Sequence, residues 1–360
     1  MNRDLLRRLV VSASMIACLV GTAYGVGLIG TRVEESSGGS LAAYRELFVS
    51  SFATPQGIGG ILGQTVPLLL LTAAVIVSFR AGFFNIGGEG QLYVGALAGA
   101  WAGFTFKGLP GPALSLLVML LGVLAAAIWG WIPGALLAAW KVDIVVSTLM
   151  MSSIGVLLTA YLVTGPLKDP STTSLATPRI AREARLPYLN AEYSLNVDLL
   201  IALAVVAGLA LVLSRSTWGL KVRELGELND FADYTGVSRA SMSQQVMAVS
   251  GGIAGLAGAL YVLGPNGGRF VQSFSPGYGW LAITVALLAR LNPWASVLAA
   301  VFYADMMAGS NLMQLNTSVP FPLVNVLQGL IILLITGTYL WKRRRPRRPA
   351  ARAVPKGSPA

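Results

Sequence analysis

Apolar residues run through this chain in blocks of about twenty, separated by short polar stretches, rather than alternating or recurring on one helical face. A helix crossing about 30 Å of hydrocarbon takes roughly 20 residues, and in lipid every backbone polar group must be bonded within its own segment. The pattern predicts membrane-spanning helices at residues 9–30, 59–79, 87–106, 112–137, 144–164, 197–214, 243–264, 278–291, 294–310 and 321–341. The predicted fold is an all-α, polytopic membrane protein of about ten transmembrane helices, with both termini on one side. The stretch from Gly57 to Trp101 is rich in glycine and polar residues and reads as a straight helix followed by a broken or re-entrant one. The eighth and ninth segments are short, and Asn292-Pro293 between them marks a tight turn or a kink.

Composition agrees: 55% of residues are hydrophobic and 11% charged, with a mean hydropathy of +0.68. With no histidine and a single cysteine, Cys18, the chain offers no imidazole base, no His-ligated metal and no internal disulfide. The net charge of +11 is concentrated in a tail from Lys342 to Lys356, so it indicates a membrane anchor and not nucleic acid. If the N-terminus lies inside, the inner side holds Arg3, Arg7, Arg8, Arg80, Lys141, Arg215, Lys221, Arg223, Arg239, Arg290 and the tail, more than twice the basic residues of the outer side. The positive-inside rule then puts both termini in the cytosol. Residues 1–341 form a single transmembrane domain with a cytosolic loop at about 215–240, and 342–360 a basic, proline-punctuated, disordered tail against anionic lipid. Met15-Ile16-Ala17-Cys18 loosely matches a lipoprotein cleavage box, but the apolar run continues for about twelve residues past Cys18, so a retained anchor helix is the reading.

Polar residues at membrane depth are costly and mark either a pathway or a satisfied packing contact. The densest set is the run Phe83 to Tyr93, in which Asn85, Glu89 and Gln91 surround Gly87, Gly88 and Gly90. It reads as a pivot or ligand-lining segment, or as a packing and capping site with Glu89 at the positive end of the third helix. Asp305, with Ser310, Asn311 and Gln314 beyond it, makes a polar strip that contacts ligand or pairs structurally, for example with Arg290. Gln64, Thr65, Thr72, Ser78, Ser147, Thr148, Ser152 and Ser153 either line a cavity or bond to their own helices. Gly95, Gly99, Gly251, Gly255 and Gly258 read as close helix packing. No Gly-Lys-Ser/Thr phosphate loop occurs, so ATP hydrolysis is not encoded here.

The inner segment from Ser214 to Val237 is charged, and Leu225, Leu228, Phe231, Ala232 and Tyr234 can form one face of a short helix ended by Gly236. That face suits a docking partner or the lipid surface. Arg223, Gly226, Ala232, Tyr234 and Gly236, followed by the run Ser250 to Ala259, resemble the coupling loop and next helix of ABC importer permeases of the branched-chain amino acid and ribose type. The run Phe84 to Gln91 resembles the nucleoside and simple-sugar branch. Gly277 to Trp280, Ala286 to Pro293, and Gly309-Ser310 with Met313-Gln314 fit the later helices, so the resemblance covers about residues 60 to 335. Phe231 and Asp233 depart from the family pattern and suggest a dedicated ATPase with a matching basic or apolar patch.

This resemblance implies a transport subunit and not an enzyme, with no cofactor of its own. It implies a second permease, related but not identical, two ATPase subunits that use ATP-Mg and dock around Arg223, Gly226, Phe231, Ala232, Tyr234 and Gly236, and an extracellular lipoprotein binding protein. The outer loop Gly165 to Asn196 is long enough for that protein to land on, and the location would be a bacterial or archaeal cytoplasmic membrane. The glycine-rich run points to nucleosides first and simple sugars second. Candidate pathway residues are Gln64, Phe84, Asn85, Glu89, Gln91, Tyr93, Asp305 and Asn311, with Phe83, Trp101 and Tyr303 as further aromatic faces. The competing class is an ion-coupled secondary transporter using Glu89 and Asp305.

Overall fold

The computed structural model describes residues 51–190, 192–193, 195–227, 238–264, 268–316 and 329. The segments expected at 9–30 and 321–341, the basic tail, and Leu228, Phe231, Ala232, Tyr234 and Gly236 of the inner loop lie outside the described residues. Within them the chain is mostly helical: α1 (Pro55–Arg80), α2 (Gly88–Thr105), α3 (Gly111–Trp140), α4 (Ile144–Thr164), α5 (Val197–Arg215), α6 (Thr217–Glu227), α7 (Arg239–Leu263), α8 (Tyr278–Leu288) and α9 (Pro293–Asn316). One small antiparallel hairpin, β1 (Tyr188–Asn190) with β2 (Leu195–Asn196), lies in the long loop between α4 and α5. Among the described residues, α1, α3, α4, α5 and α7 are long and apolar enough to cross a membrane, and α8 is a shorter apolar helix.

Local chemistry explains several of the boundaries. Thr54 caps α1 by accepting from the Gly57 amide at 3.1 Å, and Pro55 starts the helix where a missing N–H costs nothing. Asp143 caps α4 through the amides of Val145 and Val146. Asn292-Pro293 is a turn: the Asn292 side chain accepts from Trp294 N at 3.0 Å and Pro293 opens α9. Pro67 and Pro133 lie inside α1 and α3 without ending them.

The core is built on α1, whose residues Val66 to Val77 are almost completely buried. Around it α2, α3 and α7 pack through glycine. A Cβ at Gly95 would collide with the backbone of Gly255, one at Gly251 with the Ala126 carbonyl, one at Gly255 with Ala126 and the Gly122 carbonyl, and one at Gly258 with the Leu92 carbonyl. With no hydrophobic drive between helices in lipid, such close approach supplies the dispersion contact that holds them. The outward faces of α3 and α4 carry Leu116, Leu120, Ile128, Met150, Ile154 and Leu157, all exposed.

Two helices begin inside the protein rather than at its ends. After α1 the chain turns at Ala81–Gly82 and continues without helix to Gly87 before α2 starts. Asn85 sits level with Ser250, eleven residues into α7 from Arg239, or about 16 Å along it. The glycine-rich stretch expected to be broken or re-entrant is therefore continuous through α1 and broken at 81–87. The second interior start is α8, whose eleven residues span about 16 Å, roughly half a hydrocarbon core. Non-helical backbone at such depth requires enclosure by protein, and Phe83 and Asn85 are about 1% exposed.

Candidate functional site

The starts of α2 and α8 meet. The buried Glu89 carboxylate, in the first turn of α2, accepts from the Gly279 amide of α8 at 2.6 Å. A Cβ at Gly279 would strike the Glu89 backbone, so only glycine allows this approach. Ser275 caps α8, its hydroxyl accepting from Gly277 N at 3.1 Å and Tyr278 N at 3.0 Å. One carboxylate thus serves the positive ends of two helices.

Beside it lies a closed polar knot. Asn85 donates from Nδ2 to Gln91 Oε1 at 3.2 Å and to Ser250 Oγ at 2.9 Å, while its Oδ1 accepts from Gly87 N at 2.8 Å. Ser250 in turn donates to the Ala74 carbonyl of α1 at 2.8 Å. Thr148 and Ser152 of α4 accept from Ile86 N and Gly90 N at 3.2 and 3.0 Å. These side chains replace the backbone bonds that a continuous helix would have made. Tyr93 completes the region: its hydroxyl accepts weakly from Ser275 N at 3.4 Å, and its ring meets Phe270 and Phe274 at 5.9 and 4.6 Å.

The other expected pathway residues lie elsewhere. Ile61 of α1 packs with Val301, Ala304 and Ala308 of α9. Gln64 is one turn along α1 from Ile61, and Asp305 adjoins Ala304. Gln64 Oε1, Asp305 Oδ1 and Tyr303 Oη have no hydrogen-bond partner among the described residues, although each atom is buried. Asn311 is exposed at the far end of the same helix. Arg290 and Asp305 do not pair, because about 18 Å of α9 separates Pro293 from Asp305. Phe84 is 54% exposed and leans on Phe79 at 4.8 Å. The hydroxyls of Thr65, Thr72, Ser78, Ser147 and Ser153 donate to their own helix carbonyls.

At the opposite end of the bundle from the long α4–α5 loop, α6 lies against α5, α1 and α7 with Gly219, Val222 and Leu225 buried. Arg223 is half-buried and Gly226 exposed. Gly226 nonetheless tolerates no side chain, since a Cβ there would collide with the Arg80 carbonyl. The α4–α5 loop is tied down by Ala181 N to Gly103 O at 3.3 Å, Ser115 Oγ to Ala184 O at 2.6 Å and Leu186 N to Leu263 O at 3.1 Å. In that loop Asp169 accepts from the Ser171 hydroxyl and amide, which holds its carboxyl below the usual carboxylate range.

Sequence reasoning found Asn85, Glu89 and Gln91 by their depth but missed their partners. Ser250 and Gly279 were visible only as members of a glycine-rich run and an aromatic-glycine motif, and Arg80 only as a charge ending a span. No pattern along the chain shows that residues 165 to 190 positions apart meet.

Comparison with known proteins matches residues 57–336 to the family model described as branched-chain amino acid transport system / permease component. The guanosine ABC transporter permease protein NupP of Bacillus subtilis is 33% identical over 90% of this chain and 92% of its own length. The glucose ABC transporter permease protein TsgB13 of Haloferax volcanii is 32% identical over 89% and 85%, and the nucleoside ABC transporter permease protein NupB of Lactococcus lactis 28% over 86% and 87%. A multi-pass helical chain with a family match over most of its length is thereby placed: it belongs to the branched-chain amino acid transport system / permease component family and is a permease subunit of an ABC transporter.

Proposed function

We propose that this permease forms half of the pathway by which a nucleoside enters the cell. The observation that carries the substrate class is the similarity to a guanosine permease along more than nine-tenths of that protein's length. A simple sugar is the second reading, supported by the comparable similarity to a glucose permease. ATPase subunits using ATP-Mg dock on the 215–240 segment, with Arg223 and Gly226 at the end of α6 and Phe231, Ala232, Tyr234 and Gly236 beyond it. A lipoprotein binding protein delivers solute to the outer loop Gly165 to Asn196, and a second, related permease supplies the other half of the pathway. The ten-span arrangement of residues 1–341 keeps both termini in the cytosol of a bacterium or archaeon, with 342–360 lying on the lipid surface.

Transport here is differential stabilisation of two packings and involves no covalent chemistry in this chain. Gln64 and Asp305 are the pathway residues the geometry supports, with Asn311, exposed farther along α9, as a further contact. Buried polar atoms without partners are costly unless a ligand or water satisfies them, and a nucleoside offers ribose hydroxyls and base edges. Asn85 and Gln91, whose groups already satisfy one another, hold the fold around the pathway.

The test is uptake of labelled guanosine by proteoliposomes containing this chain with its neighbouring permease, ATPase and binding protein. Uptake should require hydrolysable ATP, survive an ionophore and be competed by unlabelled nucleosides but not glucose. ATP-dependent uptake of labelled glucose in place of guanosine would transfer the assignment to sugars, and ATP-independent uptake that collapses with the ion gradient would overturn the mechanism.

A further inference from the structure

Among the described residues no side-chain hydrogen bond joins the docking helix to the short helix α8, yet one residue reaches both their neighbourhoods. Arg80 ends α1. Its carbonyl is the atom against which Gly226 of α6 packs, and Gly82, two residues on, sits with its Cβ direction 3.6 Å from the Gly226 Cα and 3.8 Å from the Leu225 carbonyl. Its side chain feels the like charge of Arg223 on α6, and its Nε donates to the Leu291 carbonyl at 2.8 Å.

Leu291 belongs to an unusual turn. Arg290 and Leu291 both adopt left-handed backbone, with φ of 52° and 56°, a conformation disfavoured for L-residues by the clash of Cβ with the following carbonyl. The turn is closed by Leu291 N to Ala286 O at 2.9 Å and Asn292 N to Ala289 O at 3.0 Å. Strained turns persist only where their surroundings over-determine them, and Arg80 supplies a side-chain bond to this carbonyl. Upward, α8 is only eleven residues long and its far end is held by Glu89 at the start of α2. α8 packs along α1 through Ala282, Val285 and Ala286, with Glu89 bonded at its start and Arg80 bonded to the turn that follows it.

We infer that Arg80 is a positioning residue that ties the ATPase docking helix α6 to the α8–α9 turn, so that movement of α6 carries α8 against the start of α2. The inference rests on the docking role proposed for the 215–240 segment.

The experiment uses the assembled transporter with Cys18→Ser and spin labels at Leu287→Cys on α8 and Val142→Cys in the α3–α4 turn, two exposed positions. Trapping with ATP and vanadate should change the label distance by a few ångströms. Arg80→Gln should abolish that change while the complex still assembles and hydrolyses ATP. Gly226→Ala, which keeps Arg80 but pushes α6 away from it, should abolish it too. A full shift in either variant, or no shift in the parent, overturns the inference. Loss of assembly or of hydrolysis in Arg80→Gln makes the residue structural and overturns it equally. The readout needs no solute, so it is independent of the nucleoside assignment. Cross-linking of the ATPase to a cysteine at exposed Lys221 reports separately on whether the segment docks it.

Discussion

Glu89 concentrates the residue-scale argument, because a buried carboxylate in a membrane protein is expensive unless several donors face it. Here the donors come from the start of α8, and both neighbouring helices present their positive ends. Glu89→Ala removes the acceptor and leaves the Gly279 amide unpaired, a loss of about 1–3 kcal/mol. Glu89→Gln keeps an oxygen in place and should cost less than about 1 kcal/mol, in line with the small average for hydrogen bonds within membranes. Thermal unfolding in detergent should therefore rank the wild type first, Glu89→Gln next and Glu89→Ala last. If the amide variant is as unstable as the alanine, the charge at the helix ends matters more than the hydrogen bond. The same logic shows why this site was only half legible: the cost of burying Asn85, Glu89 and Gln91 can be read from their depth in apolar sequence. The groups that offset the cost, Ser250 and Gly279, lie far away in the chain, and only the fold brings them close.

At the scale of elements, glycines that look alike in sequence separate sharply. Gly255 of α7 is pressed between Ala126 and Gly122 of α3 and faces Gly95 of α2, whereas Gly208 of α5 has nothing within 4 Å of where a Cβ would be. Gly255→Ala should force the helices apart at a cost of about 1–3 kcal/mol, seen as a lowered unfolding midpoint and a loss of monodisperse protein. Gly208→Ala should be tolerated to within about 1 kcal/mol, since the substitution also favours helix. Close-packing glycines were legible from their three- and four-residue spacing, and the long apolar helices from their apolar runs to within about six residues, whereas charged α6 starts and ends earlier than the helix read around Leu225 to Gly236. The length of α8 was harder to read. Apolar residues continue past Leu288 and predicted a segment ending at 291, but the left-handed pair Arg290 and Leu291 ends the helix sooner. Asn292-Pro293 announces a break nearby, but the bond from Arg80 to Leu291 that braces the turn is tertiary and has no local signal.

The whole molecule has two distinguishable ends, and their charges predict which faces the cytosol. One end gathers the C-terminus of α1 with Arg80, the α3–α4 turn with Lys141, and helix α6 with Lys221 and Arg223. The other is covered by the loop from Gly165 to Asn196, fastened to α2, α3 and α7 by the bonds to Gly103, Ser115 and Leu263. Basic residues near short loops set orientation because their translocation is disfavoured, so the first end should be inside. In intact cells carrying the Cys18→Ser chain, a membrane-impermeant maleimide should label a cysteine placed at Tyr188, which is 52% exposed on β1. A cysteine at Val142, 37% exposed beside Lys141, should react only after permeabilisation. The reverse pattern would invert the molecule and place α6 where no cytosolic ATPase could reach it, removing the docking role and the relay through Arg80 together. Labelling of both sites in intact cells would instead mean that the two loops share a face. That result is incompatible with α4 running as one continuous 21-residue helix between them, because such a helix is about 31 Å long and carries the chain from one side of the hydrocarbon to the other.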